Sequence, residues 1–297
     1  MVVLLSSTFK SYLSLVRSRL NFLIYYGLNV LLALVASSSI NGSTLATFGK
    51  DLLLSLLSTF AIVLSVYIYN DITDMEIDRI NKLDRPLARG NISRQQAIRL
   101  VTILGISGLA LAYIINLSFF FFALTYVVLF FIYSFPPIRL KRIFLVNKLT
   151  VATGVALTYM MGGIVAGSIP VPVFLIAMYG FVGGLTSSMW IDLRDIEGDK
   201  KGNVKNPAIV WSPVVTVRLA MALMGLMGIT VMVAFYQLGL NIAFIILASC
   251  GFAGWIYVLY PLLRRWNEPS FVDKTLHKKI APLGLIIQAF LIVGILL

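Results

Sequence analysis

LLLSLLSTFAIVLSVYIYN (52–70) runs directly into DITDMEID (71–78), and VPVFLIAMYGFVGGLTSSMWI (171–191) runs into DLRDIEGD (192–199). Each apolar stretch has the length of a membrane-crossing helix, which takes about 20 mostly apolar residues. Each ends in a tight group of carboxylates. This succession marks a membrane protein with its polar chemistry gathered at one surface. The rest of the chain agrees: 59% of its 297 residues are apolar, 12% are charged, and the mean hydropathy is +0.94. Soluble domains run near 45–50% apolar and about 25% charged. A soluble enzyme, a disordered chain and a nucleic-acid binder are excluded. The net charge of +12 points instead to the anionic face of a membrane. The lone Cys250 cannot form an intrachain disulfide, and the lone His277 excludes multi-histidine metal sites and weakens any histidine-based triad.

Nine spans are expected, at about 20–38, 52–70, 98–116, 119–135, 149–167, 171–191, 214–234, 240–262 and 280–297. Arg17 and Arg19 precede the first, but no small-residue cleavage pattern follows, so it reads as a retained helix. The connections alternate in charge without a break. Of the 24 basic residues, 23 fall on one side, and only Lys50 falls on the other. The positive-inside rule makes the basic side cytoplasmic, with the N-terminus inside and the C-terminus outside.

The acids carry the chemistry. Nine of the twelve lie in two stretches, Asp71, Asp74, Glu76, Asp78 and Asp84, then Asp192, Asp195, Glu197 and Asp199. Both stretches read D-x-x-D-x-E-x-D, and each acid of the first recurs 121 residues later. Tyr133-Ser-Phe-Pro136-Pro-Ile-Arg139-Leu-Lys141-Arg142 is weakly echoed by Tyr260-Pro261-Leu-Leu-Arg264-Arg265. Spans 1–4 and 5–8 therefore read as a pseudo-repeat with span 9 added, in an all-α polytopic membrane fold covering residues 1–297 as one domain. At about 100° per residue, Asp71, Asp74 and Asp78 share a helix face within about 60°, while Glu76 points away. Asp192, Asp195 and Asp199 repeat this, less securely because of Gly198. Three carboxylates on one face repel unless a cation sits among them. Oxygen-only ligands without His or Cys suit Mg²⁺, which binds one or two carboxylates together with waters and phosphate oxygens. Two such faces would clamp a diphosphate. Glu76, Glu197 and Asp84 read as surface acids.

NDITDMEID (70–78) resembles the first aspartate motif of the UbiA superfamily of intramembrane prenyltransferases. Arg85-Pro86-Leu-Ala-Arg-Gly90-Asn-Ile-Ser93 resembles its continuation, 192–199 its second aspartate motif, and 133–142 its tyrosine and lysine–arginine loop. The resemblance implies a nine-helix fold, a prenyl diphosphate held through Mg²⁺ by Asp71, Asp74, Asp78, Asp192, Asp195 and Asp199, and transfer of the prenyl group to a lipid or aromatic acceptor. It implies substrate contacts for Lys141, Arg142 and Arg85, the leaving group's cationic partners. Asn70 adjoins the first aspartate face and suits ligand orientation; Tyr133 offers a ring face to a cation, or an interfacial belt residue; Asn21 stands at the start of span 1, beside Arg17 and Arg19. The IDRIN stretch (77–81) and the PPIRLKR loop are similar to archaeal ether-lipid members, which favours geranylgeranylglyceryl phosphate as acceptor. Met189-Trp190-Ile191 depart from that subgroup, and 4-hydroxybenzoate, another quinone precursor or haem is the alternative.

A cation-coupled transporter is the competing class. It needs ionisable groups near mid-membrane, and no Asp or Glu falls at the middle of any span. A CDP-alcohol phosphotransferase needs Asp-Gly and Ala-Arg elements that are missing from the aspartate motifs. The topology has a direct check. Labelling probes at Lys82, Lys141, Lys201 and Lys274 should react from the cytoplasmic side and one at Asn41 from the other; reaction of any of the first four from outside overturns the nine-span topology.

Overall fold

The computed structural model describes residues 12–43, 45–80, 85–201, 205–239 and 242–296. They are helical throughout, with turns between and no strand among them. Nine long helices follow one another: α1 (Leu20–Ile40), α2 (Gly49–Ile80), α3 (Arg94–Ile115), α4 (Leu117–Ser134), α5 (Val146–Val165), α6 (Val171–Lys201), α7 (Pro213–Leu238), α8 (Ile242–Leu259) and α9 (Ala281–Leu296). Among the described residues, eight segments are long and apolar enough to cross a membrane. The expected span at 240–262 is the 18-residue α8. The last apolar segment starts earlier than expected: Pro269–Leu296 is continuous through a short helix, Pro269–Thr275, and a π-helical turn, Leu276–Ile280.

Two helices outrun the bilayer. α2 has 32 residues and α6 has 31. At about 1.5 Å per residue, each is near 47 Å long, against about 30 Å of hydrocarbon. Their apolar runs are residues 52–70 and 171–191, and the same helices carry on through the acids at 71–78 and 192–199. Helix α6 continues through Gly198, so the aspartate spacing there is helical too.

The chain packs as two compact units, residues 1–27 with 50–139, and residues 28–49 with 140–297. In the first, Ser93 and Gln96 form a reciprocal capping box that starts α3. Asn116 ends α3 and caps α4, accepting from the Phe119 amide at 2.7 Å. Ser58 donates to the Gly108 carbonyl at 2.7 Å, joining α2 to α3. Helix α3 turns Ile103, Ile106, Tyr113 and Ile114 outward, side chains that suit hydrocarbon.

Small residues and buried amides hold the second unit together, as is usual where lipid gives helices no hydrophobic reason to associate. Gly184 lets α6 approach the Ala152 backbone of α5. The Asn29 amide donates to Thr158 at 2.9 Å, and Gln288 donates to Asn29 and to the Tyr159 hydroxyl, tying α1, α5 and α9. At Gly162 backbone meets backbone: a Cβ there would lie 2.8 Å from Val30 Cα and closer still to its carbonyl oxygen. Gly162→Val should therefore cost about 1–3 kcal/mol or more and lower the melting temperature in detergent. Gly225→Ala, where nothing lies within 4 Å, should melt with the wild type; equal melting of all three contradicts the packing.

Candidate active site

The first unit builds its site from the end of α2. Asp71 is 1% exposed and Asp78 is 4% exposed; Asp74 is half-buried and Glu76 is exposed. Carboxylates this deep need cations, and two arginines supply them. Arg19, just before α1, pairs with Asp71 Oδ1 and lies 5.3 Å over the Tyr67 ring, one helical turn before Asp71. Arg85 Nη1 reaches both Asp71 Oδ1 at 3.0 Å and Asp78 Oδ2 at 2.7 Å. Burial pushes the Asp78 carboxyl above its usual range; Arg85 pulls it down, and Asp71 and Asp74 push it up. Asn70 is fixed by Ser134, whose hydroxyl donates to its Oδ1 at 2.8 Å. Arg139 reaches the Thr73 carbonyl at 3.2 Å.

Asp71 Oδ2 and Arg19 Nε are buried without a hydrogen-bond partner among the described residues, as is Arg139 Nε at the edge of the cluster. An orphaned acceptor beside an orphaned donor is costly, about 1–3 kcal/mol each, and suits a ligand that brings both a cation and an anion. Among the described residues no three His, Cys, Asp or Glu side chains come together closely enough to enclose a metal ion. Asp71 and Asp78 nevertheless converge on one positively charged nitrogen, and all their donor atoms are hard oxygens, so they fit Mg²⁺ completed by water and phosphate.

The second unit builds a matching group at the end of α6. Asp192 is 5% exposed and its Oδ1 takes the Lys148 ammonium at 2.5 Å. Lys148 also donates to the Ser188 carbonyl at 3.1 Å. Asp199 accepts from Asn206 at 2.6 Å, and Asn206 Oδ1 caps the short helix Pro207–Val210 through the Ile209 amide. The Asp195 side chain lies outside the described residues; its backbone is in α6. Glu197 is exposed. Arg194 turns to His277, 3.4 Å away, which also meets Asp273 at 3.3 Å.

Known proteins place this arrangement. Residues 20–273 match the UbiA prenyltransferase family. The chain belongs to that family. Within it, the chain is similar to the digeranylgeranylglyceryl phosphate synthase of Sulfolobus acidocaldarius, 32% identical over 214 residues, 71% of this chain and 76% of that one. It is 37% identical to the synthase of the same name from Thermococcus sibiricus over 144 residues, 48% of this chain and half of that relative's length. In fold it is similar to a UbiA homologue from Archaeoglobus fulgidus solved with GPP and Mg²⁺, with a TM-score of 0.68 and 20% identity over 97% of this chain and the whole of that one. The protein is thus a multi-pass membrane prenyltransferase.

In this UbiA member the remaining sequence candidates are spread out. Tyr133 is half-buried on α4, its ring 5.8 Å from Phe130. Lys141 is half-buried and Arg142 exposed, in the turn Leu140–Arg142 before α5. Asn21 is exposed in the first turn of α1. Asp84 lies outside the described residues. Arg85 sits on the aspartates themselves. Four partners carry no motif signal: Arg19, Lys148, Ser134 and Asn206. Arg19 and Lys148 read as ordinary basic residues at span borders; only the depth at which each is buried, 12% and 7% side-chain exposure, sets them apart.

Proposed function

We propose that the protein joins a prenyl group from a prenyl diphosphate to geranylgeranylglyceryl phosphate, in ether-lipid synthesis. The observation that carries this reading is the pair of buried aspartate groups ending α2 and α6, in a chain whose relatives bear the name digeranylgeranylglyceryl phosphate synthase. Both groups serve the same diphosphate, and residues 1–297 act as one catalytic domain. Asp71, Asp74 and Asp78 and Asp192, Asp195 and Asp199 would hold Mg²⁺, which when bound would supply neutralising charge to the leaving pyrophosphate.

The chain's own residues do the rest. Arg85, Lys141 and Arg142 offer N–H donors and positive charge to phosphate oxygens. Asn70, pinned by Ser134, orients the diphosphate. The allylic C–O bond breaks with its electron pair leaving on pyrophosphate, and the Tyr133 ring face stabilises the allylic cation. The acceptor hydroxyl oxygen forms the new C–O bond and releases its proton. The apolar helices receive the prenyl tail and keep water from capturing the cation. The site opens to the cytoplasmic side, where the basic loops lie, and the N-terminus is cytoplasmic.

The test pairs geranylgeranyl diphosphate with geranylgeranylglyceryl phosphate or 4-hydroxybenzoate, using purified protein and product mass as readout. Product is expected from the lipid acceptor, in Mg²⁺ and not in EDTA. Asp71→Ala and Asp192→Ala should lower turnover about 10²-fold or more, while Glu76→Ala and Glu197→Ala, at exposed positions, should stay near wild type. Product from the aromatic acceptor alone overturns the acceptor assignment, and glutamate variants as damaged as the aspartate ones overturn the role given to the aspartates.

A further inference from the structure

Lys148 stands where neither helix nor membrane physics favours it. It is the third residue of α5, at the positive end of the helix dipole, where a basic side chain is repelled. Its side chain is 7% exposed, and a buried ammonium is expensive unless its charge and its donors are satisfied. A methionine would fill the same space without that cost. Two of its three N–H donors are used, by Asp192 Oδ1 and the Ser188 carbonyl. The third has no partner among the described residues. Next to it, Asn147 is 7% exposed and its Oδ1 is buried without a hydrogen-bond partner. Leu145, which precedes the helix, has φ of 62° and makes no side-chain cap, a left-handed backbone that a leucine seldom adopts. Lys141 and Arg142 lie in the turn just upstream.

The geometry points to Lys148 as a substrate-contacting residue that gives its third N–H to a phosphate oxygen, making the ammonium a bridge between Asp192 and a bound phosphate group. Asp192 accounts for the charge of Lys148 and for one of its donors; a donor to spare fits a second, incoming anion. The positive end of the α5 dipole adds to the same attraction. Two substrates bring phosphate chemistry, the donor through its diphosphate and the acceptor through its headgroup. On the donor, the electron pair of the broken C–O bond settles on a pyrophosphate oxygen, and the Lys148 N–H stabilises it by hydrogen bonding without giving up its proton. This inference rests on the proposed prenyl transfer and deepens it.

The test measures binding apart from turnover. Titration calorimetry of purified protein in detergent follows pyrophosphate with Mg²⁺ in one arm and glycerol phosphate in the other, for wild type, Lys148→Met and Lys148→Gln, with the melting temperature of each. K148Q keeps a donor toward Asp192 and carries the comparison if K148M does not fold. Loss of the charge should weaken one of the two anions roughly tenfold or more and lower kcat for the reaction that uses it about 10²-fold. Weaker pyrophosphate alone assigns Lys148 to the donor; weaker glycerol phosphate alone assigns it to the acceptor. A folded variant that binds both anions as wild type does overturns the inference and leaves Lys148 as the counter-ion of Asp192. Wild type that binds neither anion overturns the phosphate contact, while the prenyl transfer stands or falls by the product-mass assay.

Discussion

A carboxylate buried at the edge of a bilayer has to be met by a cation, and much of this molecule is arranged around that requirement. Asp71, Asp78 and Asp192 are nearly solvent-free. Removing such groups from water costs several kcal/mol per charge unless partners repay it. Arg19 and Arg85 do so for the first group and Lys148 for the second. The first set is not fully satisfied among the described residues, since Asp71 Oδ2 and Arg19 Nε stay without hydrogen bonds. A fold selected only for stability would carry apolar side chains at these positions. Retained charge with unfilled valence is the mark of a site that expects a ligand, and the one proposed brings phosphate anions and a divalent cation together.

Helix length places those charges. The apolar runs of α2 and α6 end at Asn70 and Ile191, but both helices run on, to Ile80 and Lys201. The aspartates therefore keep a fixed helical spacing while leaving hydrocarbon, instead of falling into loops. Behind them the packing is apolar and close, through Gly108 in the first unit and Gly162 and Gly184 in the second. The buried amides of Asn29 and Gln288 fix neighbouring helices where hydrophobic contact alone would let them slide.

Much of the fold was legible in the sequence because apolar runs of bilayer length leave little freedom, and because basic residues crowd into alternate connections. The early start of the last apolar helix was not legible: HKK at 277–279 reads as loop charge, and only the structure shows it inside a π-helical turn. Within the site, the aspartates could be read from spacing, and the exposed placing of Glu76 and Glu197 followed from the helical angle. Their cationic partners could not. Arg19 lies 52 residues from Asp71 and Lys148 lies 44 from Asp192, distances over which no periodicity acts, and both look like membrane-border anchors. Likewise nothing local in Ser134 announces a bond to Asn70, 64 residues away.

Both aspartate groups are proposed to serve the binding of one prenyl diphosphate with Mg²⁺. Binding of a non-hydrolysable prenyl diphosphate to purified protein tests it most directly, with Asp71→Asn/Asp74→Asn, Asp192→Asn/Asp195→Asn and the four changes combined. Binding should require Mg²⁺, be mostly lost on changing either group, and fall little further when both are changed, because groups that act as one unit are strongly non-additive. A fourfold variant that binds the analogue in Mg²⁺ as tightly as wild type would contradict the claim.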